Sequence, residues 1–328
     1  MRAPDPIVSV VIATYRRPDL LRRCLLALCA QRIDPRGFEI IVADDGCERR
    51  IAELVAELAA HHPRIALRYV AVTRTQGPAG ARNVGWRMAR ADIVAFTDDD
   101  TVPRPDWVCE GYIALAAAPA WSAAAGNVVV PMPTRPTDHE RDTGGLAQAE
   151  FVTANCFVRR LALERVGGFD ERFRRAWRED SDLQFRLEQL AGPVGRAGNA
   201  VVEHPVRPTR WGSSVSAQAK VFFDALLYKK HPIAYRQRIR RVPPWDYYVA
   251  VGALLVAFVA TLSGRGDVAA AAACVWLAIT AAFCARRLKG AALTPAHVAE
   301  MAVTSIVIPP LSLYWRIRGA LHFRTVFL

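Results

Sequence analysis

Ile93-Val94-Ala95-Phe96-Thr97-Asp98-Asp99-Asp100-Thr101-Val102-Pro103 sets an apolar, strand-forming run directly against three consecutive carboxylates. A short apolar run of this kind reads as a strand buried on both faces, the pattern of a parallel sheet. The acids then stand at its carboxyl end, where open α/β sheets bind their ligands. Their oxygens are hard donors suited to Mg²⁺ or Mn²⁺, and such ions in turn suit the phosphates of a nucleotide. The plainer account is a turn in which Asp caps a helix starting near Pro105. That account needs one acid. Three adjacent carboxylates repel one another, and a cation relieves the repulsion.

Upstream, the same arrangement recurs. Ile7-Val8-Ser9-Val10-Val11-Ile12-Ala13-Thr14 is a second buried strand, followed by Tyr15-Arg16-Arg17-Pro18-Asp19 and a helix with Leu20, Leu21, Cys24, Leu25 and Leu28 at helical spacing. Phe38-Glu39-Ile40-Ile41-Val42-Ala43 ends in Asp44-Asp45-Gly46-Cys47; a helix over residues 51–61 and a strand over 65–70 come next. Alternation of strand and helix argues for a doubly wound α/β sheet, with acids gathered on its ligand side. Gly77-Pro78-Ala79-Gly80-Ala81-Arg82-Asn83-Val84-Gly85-Trp86 opens the helix that returns to the acidic strand. Arg82 there either faces a phosphate or carboxylate, or with Asn83 only braces its helix. Neither GxGxxG nor GxxxxGK occurs, so dinucleotide and P-loop chemistry are unsupported.

Downstream, Val128-Val129-Val130 is strand-like and residues 131–138 form a proline-rich polar loop. Phe151 to Val158 reads as another strand, in which Asn155 is either structural or within reach of a hydroxyl ligand. Gly167-Gly168-Phe169-Asp170-Glu171 turns towards Glu179-Asp180-Ser181-Asp182-Leu183. Leu183, Leu187 and Leu190 share one helical face, so Asp180 sits at or just before a helix start. On the residues alone Asp180 reads as an N-cap, with Glu179 and Asp182 as first-turn acids. His204 follows a strand in Val201-Val202-Glu203-His204-Pro205 and is either a structural hydrogen-bonder or a ligand.

The last quarter changes character. Lys229, Lys230, Arg236, Arg238, Arg240 and Arg241 precede Pro243-Pro244-Trp245, after which residues 247–263 and 268–285 are each long and apolar enough to span a bilayer. Basic residues flank both outer ends of this hairpin, which puts those ends in the cytoplasm. Residues 298–313 hold Pro309-Pro310 and read as a kinked or re-entrant third segment. Residues 314–328 read as a basic amphipathic tail suited to anionic lipid. The net charge of +12 lies largely beside these spans, without interleaved base-stacking aromatics, so lipid head groups account for it better than nucleic acid. Seven scattered cysteines without a CxxC pair fit free thiols in a reducing compartment. The opening six residues lead straight into a strand, so no signal peptide is expected.

Taken in order, Val10 to Arg17, Val42-Ala43-Asp44-Asp45-Gly46, Gly80-Ala81-Arg82-Asn83-Val84-Gly85, Asp98-Asp99-Asp100, Gly167 to Glu171 and Glu179 to Leu183 resemble the family 2 glycosyltransferases, which have the GT-A fold. The resemblance covers residues 7–232. Arg16, where the family usually has Asn, and Cys47, where Ser is common, depart from it. What it implies is an inverting, metal-dependent transfer from a nucleotide-diphosphate-sugar to a hydroxyl acceptor. Thr14, Tyr15, Arg17, Asp44, Arg82 and Asp98 would bind the donor, with Asp98 near the ribose. Asp100, the last acid of the family's DxD motif, would hold Mn²⁺ or Mg²⁺ together with Asp98, and His204 would complete that site. Asp99 either points away or takes the ligand role if the register shifts. Asp180 would be the catalytic base, with Glu179 as runner-up.

Arg207-Pro208-Thr209-Arg210-Trp211 resembles the QxxRW motif of processive synthases, with Arg207 in place of Gln, which favours single addition. A processive synthase and a non-catalytic nucleotide-sugar-binding scaffold are the alternatives. The expected architecture is a GT-A domain over residues 1–235 and a membrane region over 236–328. The expected setting is a bacterial inner membrane, multi-pass, with the catalytic domain cytoplasmic and a membrane-associated or lipid-linked glycan as acceptor.

Overall fold

The computed structural model describes residues 6–327; residues 1–5, which carry most of the leader reading, and residue 328 lie outside the described residues. The chain forms two compact units, one of residues up to 131 together with 145–206, the other of residues 132–144 and 207 onward.

The first unit is built on one sheet. β1 (Val8–Thr14), α1 (Pro18–Cys29), β2 (Phe38–Asp44), α2 (Arg49–His61), β3 (Ala66–Ala71), α3 (Pro78–Arg87) and β4 (Ile93–Asp98) alternate as the sequence predicts. β1 is parallel to both β2 and β4, and β2 to β3. Residues of even number in β1 and β2, such as Val8, Val10, Ile12, Ile40 and Val42, pack under the apolar stripes of α1 and α2. Val11 and Ile41, pointing the other way, pack with Ala79 and Trp86 of α3. This two-residue period places helices on both faces, which is why the strands read as unbroken apolar runs.

Beyond β4 the sheet becomes mixed. The two-residue β5 (Val102–Pro103) and α4 (Trp107–Ala117) lead to β6 (Ala123–Val129), and the chain then departs through α5 (Asp138–Gly144), part of the second unit. It returns as β7 (Asn155–Arg159), α6 (Arg160–Val166), α7 (Glu179–Leu190) and β8 (Val194–Glu203). The strand order is β3-β2-β1-β4-β7-β6-β8-β5, with β7 antiparallel to β4 and β6, and β8 parallel to β6 but antiparallel to β5. The strand expected from Phe151 begins only at Asn155. Phe151 and Val152 are buried outside the ladder, so their apolar character reports burial and not pairing.

The second unit continues through α8 (Ser213–Ala217), α9 (Val221–Lys230), the single turn α10 (Pro232–Ala234), α11 (Trp245–Leu262), α12 (Gly266–Leu288) and α13 (Pro295–Phe323). α11, α12 and α13 are long and apolar enough to cross a membrane. The sequence predicts a kinked or re-entrant segment over 298–313 and a separate tail over 314–328. Instead, both belong largely to α13, a helix of 29 residues that carries Pro309 and Pro310 inside it. Two prolines remove two backbone donors, and the helix holds because Ser305, Ile308, Pro309, Ser312 and Leu313 are buried around them. At the end of α12, Arg287 donates to both oxygens of Asp138 (3.3 and 2.7 Å), to Thr304 and Ser305 hydroxyls of α13 (2.7 and 3.2 Å) and to Ser214 Oγ (3.0 Å).

Candidate active site

Three adjacent parallel strands deliver the site. β1, β2 and β4 end in register, with Thr14 beside Asp44 and Ala13 beside Asp98. The turn after β4 is stapled by Thr101, whose N–H and hydroxyl both donate to Asp98 O (3.2 and 2.9 Å). This sharp turn parts the middle acid from the outer two.

Asp98 and Asp100 converge with His204, which follows β8. One ligand atom from each lies within 4.8 Å of the others. His204 Nε2 is 3.3 Å from Asp100 Oδ1, and its buried Nδ1 has no hydrogen-bond partner among the described residues. Two carboxylates and an imidazole form a donor set that fits Mn²⁺ or Mg²⁺, oxygen-rich and with one borderline nitrogen.

Asp99 turns away from this cluster. Its Oδ2 accepts from Thr14 Oγ1 (2.8 Å) and its Oδ1 from Arg17 (3.2 Å). Burial pushes the Asp99 carboxyl up to about 6, against the opposing pull of Arg17, with Asp100 adding its repulsion.

Arg82, only 3% exposed, lies between two carboxylates. Nη2 donates to Asp98 Oδ1 at 2.8 Å and Nη1 to Glu179 Oε1 at 3.0 Å. Burial alone would favour discharging the guanidinium, but Asp98 and Glu179 outweigh it and hold Arg82 charged. Glu179 and Asp180 open α7 after Arg178, which adopts a left-handed backbone at φ 75°. Burial raises Glu179 to about 7, with repulsion from Asp180 adding and Arg82 opposing. Burial also raises Asp180, opposed by the Ser181 N–H that donates to its Oδ1 at 2.7 Å. Two carboxyls poised above their ordinary range, one of them joined through Arg82 to Asp98, make an arrangement suited to taking a proton.

The other predicted positions divide. Tyr15 is 49% exposed, with the Arg16 guanidinium carbon 5.1 Å from its ring centroid. Asp44 is fully buried and its carboxylate is committed: Oδ1 accepts from Gly46 N–H (2.8 Å), Oδ2 from Glu48 N–H (2.7 Å) and Tyr69 hydroxyl (3.1 Å). Asp44 therefore shapes the turn into α2, and its neighbour Asp45 accepts from Gly77 N–H (2.8 Å) at the head of α3. Asn155 is likewise structural, receiving the Trp107 indole N–H and donating to Asn127 O and Ala200 O, each at 2.8 Å. Asn83 makes four bonds, to Phe169 N and O, Glu171 and Trp86, so it braces the Gly168-Phe169 turn. Sequence reading missed the Asp99 clamp and the Arg82–Glu179 pair. The adjacent acids were the only signal of the first, and nothing local marks the second.

Comparison with known proteins follows the same outline. A family model described as glycosyl transferase family 2 matches residues 9–174. The chain is 26% identical over 293 residues to a chondroitin synthase from Escherichia coli, covering 74% of this chain and 42% of that protein. It is 36% identical over 230 residues to a validoxylamine A glucosyltransferase from Streptomyces hygroscopicus subsp. limoneus, covering 58% of this chain and 49% of that protein. The chain spans about half the length of the curated relatives it matches. Among solved structures, the mannosyltransferase PcManGT from Pyrobaculum calidifontis, in complex with GDP-Man and Mn²⁺, matches with a TM-score of 0.57 at 20% identity. That match covers 97% of this chain and 88% of that one, a likeness of fold.

Proposed function

The chain belongs to glycosyl transferase family 2, and from that premise we propose that it transfers a sugar from a nucleoside-diphosphate donor to a hydroxyl acceptor, inverting the anomeric carbon and adding one sugar at a time. The observation that carries this reading is the convergence of Asp98, Asp100 and His204, joined through Arg82 and Glu179 to the segment that bears Asp180.

Asp98, Asp100 and His204 would hold a divalent ion, Mn²⁺ or Mg²⁺, whose charge would offset that developing on the departing diphosphate. Thr14, Tyr15 and Asp44 would line the base and ribose side of the donor, with Arg17 and Arg82 also on the donor side. Asp180 takes the proton of the acceptor hydroxyl as its oxygen bonds to the anomeric carbon; the bond from that carbon to the diphosphate oxygen breaks, and the nucleoside diphosphate leaves. Attack from the side opposite the leaving group inverts the centre. Glu179 is less suited to the base role, since its Oε1 is held by Arg82 and its Oε2 is buried without a partner.

Residues 1–235 would act as the catalytic domain and 236–328 as the membrane anchor. The three apolar helices favour a membrane-associated or lipid-linked glycan as acceptor, with catalysis at the cytoplasmic face of a bacterial inner membrane. A polymerising synthase is the second reading, since a chondroitin synthase is among the relatives. Arg207 in place of the Gln of QxxRW weighs against it.

A panel of nucleotide-sugars with and without Mn²⁺ in thermal unfolding identifies the donor. With that donor, Asp180→Asn lowers kcat by about 10²–10⁴, and Asp100→Ala abolishes the Mn²⁺-dependent part of donor binding. Unchanged turnover in Asp180→Asn removes the base assignment; a product of retained configuration removes the direct displacement.

A further inference from the structure

The donor side of the site and the segment bearing Asp180 share one cation. Arg82 uses its two terminal nitrogens on two different carboxylates, Asp98 at 2.8 Å and Glu179 at 3.0 Å, and the Phe169 ring lies 5.8 Å from the guanidinium carbon. Phe169 is itself fixed by Asn83, which bonds its N–H and its carbonyl. Arg82 thus has one orientation, set from three sides.

Glu179 is 3% exposed, its Oε1 bound to Arg82 and its Oε2 without a hydrogen-bond partner among the described residues. It reaches neither solvent nor the Asp98–Asp100–His204 cluster. A buried carboxylate in this position is costly unless its charge is used, and among the described residues Arg82 is its one side-chain partner.

We propose that Glu179 is a positioning residue: acting through Arg82, it fixes Asp98 in its ligand orientation and balances the guanidinium, and so sets the affinity of the Asp98–Asp100–His204 cluster for a divalent cation. This rests on the reading of that cluster as a cation site. The physical reason is charge. With Glu179 in place, Arg82 is shared between two acids, and Asp98 keeps donor strength for the ion. With Glu179 neutral, the whole guanidinium charge falls on Asp98, drawing its oxygen away and repelling an incoming cation. Partners that orient a metal ligand act in this way at many sites.

The test is direct Mn²⁺ titration of the full-length protein in detergent, without donor, read by calorimetry and by the free-ion EPR signal. Glu179→Gln, folded by its thermal transition, binds Mn²⁺ about 10–100-fold more weakly. Glu188→Gln, an exposed acid further along α7, binds within twofold of the parent. Arg82→Lys keeps the charge but cannot bridge, and it weakens binding by a similar factor; should Glu179→Gln not fold, this variant carries the test. The double variant is no weaker than the weaker single, because both changes break one link. Parent-like Mn²⁺ affinity in folded Glu179→Gln, or additive losses in the double variant, overturns the inference alone. A parent protein that binds no Mn²⁺, with Asp100→Ala indistinguishable from it, overturns the cation-site reading and the inference with it.

Discussion

The Thr14 hydroxyl donates to Asp99 Oδ2 at 2.8 Å, so the middle acid of the triplet belongs to the end of β1 and not to the Asp98–Asp100–His204 cluster. Three neighbouring residues of one type thereby do two jobs: the outer pair converges with His204, and the inner one ties β1 and Arg17 to the turn after β4.

Asp99 carries a pH signature. Burial raises its folded carboxyl to about 6 from 3.8, so between about pH 4 and 6 the folded state holds more protons than the unfolded one. Stability falls as pH rises through that window and levels off above it. Asp99→Asn cannot ionise, so its advantage over the parent grows from pH 4 to 6, reaching at most about 3 kcal/mol before the lost Arg17 pair is counted. Thermal unfolding in EDTA across this range checks it; a pH-independent difference would contradict the assignment.

Transfer by Asp180 requires its ionised form, and burial raises Asp180 while Glu179 beside it sits at about 7. Acidification therefore protonates the base above the ordinary carboxylate range. The acid limb of kcat/KM, measured at saturating Mn²⁺, lies above the ordinary carboxylate range, and the residual rate of Asp180→Asn lacks it. A parent limb within the ordinary carboxylate range argues against the buried pair as the titrating element.

Arg287 holds Asp138, Ser214, Thr304 and Ser305 together within the second unit. Arg287→Ala leaves Asp138 without its countercharge and costs about 3–5 kcal/mol. Arg287→Met with Asp138→Leu removes both charges and recovers most of that loss. Unfolding midpoints of detergent-solubilised variants provide the comparison, and equal losses in the single and double variants would count against the pair.

Gly167 and Gly168 have nearly the same backbone, φ 76° and 73°, but different surroundings. A Cβ at Gly168 would meet Asn83 Oδ1 at 2.5 Å and Trp86 Nε1 at 2.6 Å, whereas one at Gly167 meets nothing within 4 Å. Gly167→Ala costs about 1 kcal/mol for the backbone alone. Gly168→Ala adds about 1–3 kcal/mol of overpacking and disturbs the Asn83 brace behind Arg82. Matching losses in chemical denaturation would refute the difference.

The parts of the site legible in the sequence are those fixed by local pattern. Val8 to Thr14 and Ile93 to Asp98 are apolar without alternation, so both the parallel sheet and the placement of Thr14 and Asp98 at strand ends follow from the chain itself. From the residues alone His204 is legible only as a residue after a strand; its meeting with Asp100 follows from the family resemblance, because it depends on β8 pairing with β6 across a mixed sheet. The antiparallel β7 was illegible for the same reason: Asn155 to Arg159 has no local mark of direction. Asp44 shows a third limit. An acid closing a strand is equally compatible with facing a ligand and with holding the next turn, and the Gly46, Glu48 and Tyr69 donors that engage Asp44 become visible only in space. Pro309 and Pro310 mislead by local rule, since burial of their neighbours carries the helix past them.

The excursion of residues 132–144 into the second unit has a consequence for synthesis. Asp138 leaves the ribosome 149 residues ahead of Arg287, its ion-pair partner. At about 5–20 residues per second, that is an interval of roughly 7–30 s. Once β8 is made, the first unit has all its strands, while this inserted segment of the second unit, with Asp138 still lacking Arg287, waits for helices not yet made. The order of translation thus makes this loop the last part of the first 150 residues to settle, and the natural place for a nascent chain to be held open by a chaperone or cut by a protease.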